Sequence, residues 1–265
     1  MKRDRMTLNA GLVILFGLWI FAGFSESQAE PSQTLDLSDS HVQNYVRSTG
    51  FIASKPVPSL GSIVGSQADT WNLAEGDLVY VKLEPGMRVK AGDQFYLARF
   101  GEEVIHPITK KKLGHVLRIP GVVVILDGEG PTVPARIEKS FFQVRYGETL
   151  ISPPSSLSAA MPTRLANRVQ GTVVATPEGE ENITQGVAVY IDRGRQDGLI
   201  LGDLFTIYQT PYYTKEAREK GGKLPQLKVG EGIVVFVNAE TSTVLVTKSS
   251  QALYIGDAIV SGRGK

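Results

Sequence analysis

An all-β protein of two tandem, duplicated small barrels or strongly bent sheets is what this sequence predicts. Three observations carry that reading. VYVKLEPGMRVKAGDQFYL at 79–97 returns as VYIDRGRQDGLILGDLFTI at 189–207, 110 residues further on. Apolar and β-branched runs such as LVYV, QFYLARF, HVLRIPGVVVIL and GIVVFV are bounded by Gly, Pro and Asp, which punctuate strands. Beyond the N-terminal segment, no window of 12 or more residues combines a convincing 3.6-residue period with caps at both ends.

From the N-terminus, Lys2, Arg3 and Arg5 precede an unbroken apolar run from Leu12 to Phe24. Those 13 residues fall short of the roughly 20 a membrane span needs. They suit a secretory signal peptide over 1–29, with Ser27 and Ala29 as the small residues at a cleavage site after Ala29. An uncleaved anchor is the alternative. Residues 30–59 form a leader whose best helical stretch is SDSHVQNYVRST, with Ser38 or Ser40 as N-cap and Val42, Tyr45 and Val46 on one face. TKEAREK at 214–220 is a shorter helical candidate.

The repeat extends outward in both directions. GSIVGSQADTWNLAEG from Gly61 lies on GTVVATPEGEENITQG from Gly171, and TVPARIEKSFFQVRYGETLI from Thr132 lies on TSTVLVTKSSQALYIGDAIV from Thr241 at an offset of 109. A period near 110 residues is a domain length and far too long for a solenoid. The copies are therefore placed at 60–152 and 169–262. The Pro-, Ser- and Ala-rich stretch 153–168 is the linker between them. About six short strands in each copy favour closure, which hides strand edges.

Gly76-Asp77, Gly92-Asp93, Gly202-Asp203 and Gly256-Asp257 each stand immediately before an apolar run. Such pairs suit turns, where glycine takes positive φ and the aspartate oxygen accepts backbone N–H groups. Metal ligation or base chemistry by Asp77, Asp93, Asp203 and Asp257 is the functional alternative, and recurrence at turn positions favours structure. GEG at 128–130 and 230–232 is placed in turns too, since no helix signal follows to make a phosphate site.

Composition narrows the chemistry. With no cysteine there is no disulfide, thiol nucleophile or lipidated cysteine anchor. The three histidines, His41, His106 and His115, show no metal-ligand spacing, and G-x-S-x-G, S-x-x-K and Walker-type strings are absent. No catalytic residue, cofactor or metal is expected. Without residues 1–29 the acidic and basic residues balance in number, which argues against nucleic acid.

The copies diverge most at 102–118 and 208–228. The first segment carries His106, Lys110, Lys111, Lys112 and His115, and the second Tyr208, Tyr212, Tyr213 and Lys215. Two histidines flanking a lysine-rich turn could bind a metal, but two partly exposed strand residues are the plainer reading. Loops on a rigid scaffold concentrate binding function, and tyrosine beside basic residues is an interface-like composition. These residues are expected to face a partner; a solvated hairpin whose tyrosines pack on their own barrel is the alternative.

GFIASKPVPSLGSIVGS, LAEGDLVYV, HPITKKKLGHVLRIPGVVVIL and VYIDRGRQDGLILGDLFTIYQ, in that order, resemble a bacterial family of exported envelope proteins. In that family a peptidoglycan-binding LysM module often precedes a β region. The repeat is also similar to the C-terminal SH3-like barrel of the flagellar assembly protein T family, whose turn pattern Gly194, Gly198, Leu199, Gly202 and Asp203 match. The resemblance covers about residues 50–262 and includes no LysM segment. It implies a periplasmic, non-catalytic scaffold or partner-binding protein with SH3-like barrels. Its partners would be an envelope protein, peptidoglycan or both, with the membrane met only through the signal peptide. A cell-wall glycan-binding or glycan-active protein is the alternative.

Overall fold

The computed structural model describes residues 35–68, 71–154, 168–209, 214–216 and 225–261. The expected signal peptide with Ala29, most of the 153–168 linker, and Tyr212 and Tyr213 lie outside them. So does most of the helical candidate at 214–220. Among the described residues no helix is long and apolar enough to cross a membrane.

After helix α1 (Ser40–Thr49) and strand β1 (Phe51–Ala53), the chain is built from strands. The first copy contributes β2 (Gly61–Ser66), β3 (Leu78–Leu83), β4 (Gln94–Ile105), β5 (Lys112–Arg118), β6 (Gly121–Ile125), β7 (Thr132–Ser140) and β8 (Thr149–Ile151). The second contributes β9 (Gln170–Ala175), β10 (Ala188–Ile191), β11 (Leu204–Gln209), β12 (Leu227–Val237), β13 (Ser242–Ser249) and β14 (Ala258–Ser261). In the second copy six strands close in the order β10-β13-β12-β11-β14-β9. In the first, β3-β7-β6-β4-β8-β2 makes the same circuit, closed by the β4–β8 and β2–β3 pairings. Two barrels of one strand order follow, and the isolated bridges Leu73↔Val144 and Ile183↔Leu253 recur at equivalent places.

Alternation decides what fills each barrel. In β3 Val79, Val81 and Leu83 point inward while Tyr80 and Lys82 face out. With Ile63, Leu97, Val123, Val133 and Ile137 they form the first core. Val173, Val189, Ile191, Ile207, Val234 and Val244 form its counterpart. Each buried side chain of this size contributes about 1.5–3 kcal/mol, which two cysteine-free barrels need.

The four Gly-Asp pairs turn the chain into strands. Gly76, Gly92, Gly202 and Gly256 have φ of 94°, 89°, 82° and 102°, where a Cβ is strained. The aspartate Oδ2 then accepts the N–H three residues upstream: Ala74 to Asp77 at 2.8 Å, and Lys90 to Asp93, Ile200 to Asp203 and Tyr254 to Asp257 at 2.9 Å. GEG at 230–232 is a correction. It lies inside β12, where pairing with β13 slips between Glu231 and Gly232, so the bulge absorbs what reads as a turn.

The leader helix forms where expected, but its N-cap is Asp39, whose Oδ1 accepts from His41 N at 2.7 Å, rather than Ser38 or Ser40. Gly50 ends it at φ 63°, and a Cβ there would stand 1.7 Å from the Leu117 carbonyl oxygen. Val46, with Val42 and Tyr45, packs on Ile233, Val235 and Leu245 outside the second barrel. Residues Ser32–Lys265 consequently form one compact unit.

Candidate functional site

Strand β4 is twice as long as its counterpart β11. Its first residues pair with β6 and β8 in the barrel; from Arg99 on it pairs only with β5. The result is an arm reaching beyond the first barrel. β1 joins it as a third strand, Phe51↔Leu117 to Ala53↔His115. The turn at the tip is closed by His106 N to Lys111 O at 2.9 Å and Lys110 N to His106 O at 3.0 Å, with Lys110 at φ 60°.

One face of the arm is apolar and sealed. Ile52, Val104, Leu113 and Val116 pack on Val174 and Tyr190 of the second barrel. The Tyr190 hydroxyl, in the same seam, donates to the Thr49 carbonyl. Thr243 Oγ1 donates to Gly50 O at 2.9 Å, and Asn238 Nδ2 to Ile52 O at 3.0 Å. At the arm's base Arg118 lies 4.1 Å from the Phe142 ring centre and reaches Glu178 at 2.6 Å. The chain from Tyr45 to Ala53 thus stitches the two barrels together.

His106 is the seam's polar anchor, and here the expectation of a partly exposed residue is corrected. Its side chain is buried, with Nε2 3.1 Å from Asp192 Oδ2. Ile108 N and Thr109 N donate to Nδ1 at 3.1 and 3.2 Å, so Nδ1 accepts and the proton sits on Nε2, facing the carboxylate. Asp192 is held in turn by Thr172 N at 2.6 Å and Arg193 Nη1 at 2.8 Å. Burial follows because the hairpin tip closes on the second barrel instead of standing in water.

The other expected residues divide. His115 is exposed on the arm's outer face and does not converge with His106. Among the described residues no group of three or more His, Cys, Asp or Glu could hold a metal ion. Lys110 donates to Pro107 O at 2.8 Å, Lys112 to Glu103 at 2.9 Å, and Lys111 stands 3.7 Å from Glu240. Such exposed pairs are worth about 0–1 kcal/mol, leaving the lysines available to a partner. Tyr208 is half-buried opposite Lys228, and Lys215 is exposed.

The expected fully exposed surface at 102–118 therefore has two sides. Its inner side is consumed by the seam. Its outer side, with Phe100, Glu103, Lys112 and His115, borders a cavity of about 620 Å³ reaching Lys55 and Glu240. Between β4, Arg118 and the Val174–Gly179 stretch lies a groove of about 760 Å³. Sequence reading set Tyr45 on the apolar face of the helix and missed Tyr190 and Asp192. The one available signal was that Asp192 replaces a lysine, Lys82, at the same place in the repeat.

What this geometry defines is an all-β protein of two like barrels joined by an arm. No family model matches the chain, and no curated protein matches it.

Proposed function

We propose that the chain is an exported, non-catalytic scaffold of the bacterial cell envelope that holds a protein partner on the outer face of the first arm. One observation carries the reading: the arm is anchored by buried contacts on its inner face while its outer face stays exposed, with Phe100 beside Glu103, Lys112 and His115. A surface held rigid from behind loses little conformational freedom on binding, which favours recognition. The basic start, apolar run and small residues at Ser27 and Ala29 support export.

Crosslinking in intact cells, followed by mass identification, tests this. A Phe100→Ala, Lys112→Glu, His115→Ser variant should keep the wild-type melting temperature and lose its envelope-protein crosslinks. Unchanged crosslinks would move the contact elsewhere. N-terminal sequencing of the envelope fraction should find chains starting at Glu30; chains starting at Met1 and released only by detergent would mean an anchor.

A further inference from the structure

The two edges of strand β4 are not occupied alike. Arg118 of β5 stands opposite Arg99, and Val122 of β6 opposite Tyr96, so β5 and β6 follow one another along a single edge. β8 holds the other edge from Tyr96 to Ala98 and stops there. From Arg99 to Ile105 no strand among the described residues pairs with that second edge. The arm meets instead the groove of about 760 Å³, which every residue from Gly101 to Ile105 lines. A strand shows only alternate residues on a face, so consecutive residues along the groove mean that the backbone edge borders it.

Val174 to Gly179 form the opposite wall, joined by Ile255, which is 43% exposed. The arm's sheet already lies on the second barrel through Ile52 of β1, Val116 of β5 and Val104 of β4. One more strand on β4 would extend that sheet over Ala175 and Ile255. Two polar atoms on residues of this groove, Arg118 Nε and Thr176 Oγ1, are buried without a hydrogen-bond partner. Buried polar atoms are seldom left unpaired, and these two mark a wall built to meet a further polar chain.

Charge narrows what that chain is. Of the charged residues lining the groove, Arg99 pairs with Glu148, Arg118 with Glu178 and Glu103 with Lys112. Glu102 is exposed and has no partner among the described residues, which leaves the edge net negative. β4 also bulges between Phe100 and Glu103. Bulges and charges keep a bare edge from pairing with any chain it meets, so a segment that does pair must answer the charge.

We propose that the bare edge of β4 takes up an extended segment of a partner protein as an added strand, its basic side chains toward Glu102 and its apolar ones toward Ala175 and Ile255. Main-chain hydrogen bonds supply the affinity, and the alternation of side chains selects the partner. From Gly101 to Ile105 the edge runs roughly 16 Å at the rise of a strand, the length of a short linear segment. The inference does not depend on what the outer face of the arm holds.

A labelled peptide of about seven residues, alternating lysine and valine, tests it against the full-length chain. Binding should saturate in fluorescence anisotropy, and amide exchange should slow from Gly101 to Ile105. The same peptide N-methylated at alternate residues keeps its side chains but loses backbone donors, and it should not bind. A glutamate–valine peptide should bind about tenfold or more weakly, and Glu102→Lys should invert that order. Ile255→Arg should weaken the lysine peptide with an unchanged melting temperature. A Phe100→Ala, His115→Ser variant should bind it as the wild type does, which separates this edge from the outer face. A wild-type chain that takes up neither peptide would overturn the proposal. So would equal binding of the N-methylated peptide, or slowed exchange confined to β5.

Discussion

Tyr80 and Tyr190 occupy the same place in the repeat, yet one is half in water and the other is sealed against Thr49. Alternation along β3 and β10 turns both out of their barrels, and only the tertiary contact decides what covers them. Burial pushes the Tyr190 hydroxyl well above its usual range, so it remains a donor. Tyr190→Phe leaves the Thr49 carbonyl unpaired and should cost about 1–3 kcal/mol in denaturant unfolding, while Tyr80→Phe should cost almost nothing. Glu148 offers a pH test. Burial raises its carboxyl above the ordinary range, against the pull of Arg99. For a raised value the stabilising contribution is complete below the unfolded-state pKa and is lost as pH rises through the folded-state one. Stability should therefore decline with rising pH just above the ordinary glutamate range. In Glu148→Gln, which cannot ionise, that part of the slope should vanish.

Among the elements, the strands and their Gly-Asp turns were legible because period-two alternation and positive-φ glycines leave local marks. The arm was not. Its drift from the second copy reads as freedom from packing, whereas Val104, Leu113 and Val116 are held by Val174 and Tyr190 of the second barrel. A contact between repeats leaves no periodic trace, and His106 beside three lysines looks like surface. Leu113→Ala should destabilise the chain by about 2–5 kcal/mol if the seam collapses little. It should also speed amide exchange in β1 and β10, far in sequence from the substitution; exchange altered only within β5 would place Leu113 outside the shared core.

At the scale of the molecule, the duplication was readable from three blocks in one register, and the identical strand circuits account for it. What the repeat could not say is that the copies are fastened, since a linker between like domains usually predicts independent ones. The fastening comes from the leader and first arm, both outside the repeated barrel strands. It joins the two cores in one compact unit, which should unfold as one. Scanning calorimetry of the intact chain addresses that most directly. A single transition whose calorimetric enthalpy equals its van't Hoff enthalpy is predicted. Two resolved transitions, or a van't Hoff enthalpy near half the calorimetric one, would contradict it, because the barrels would then melt as strangers.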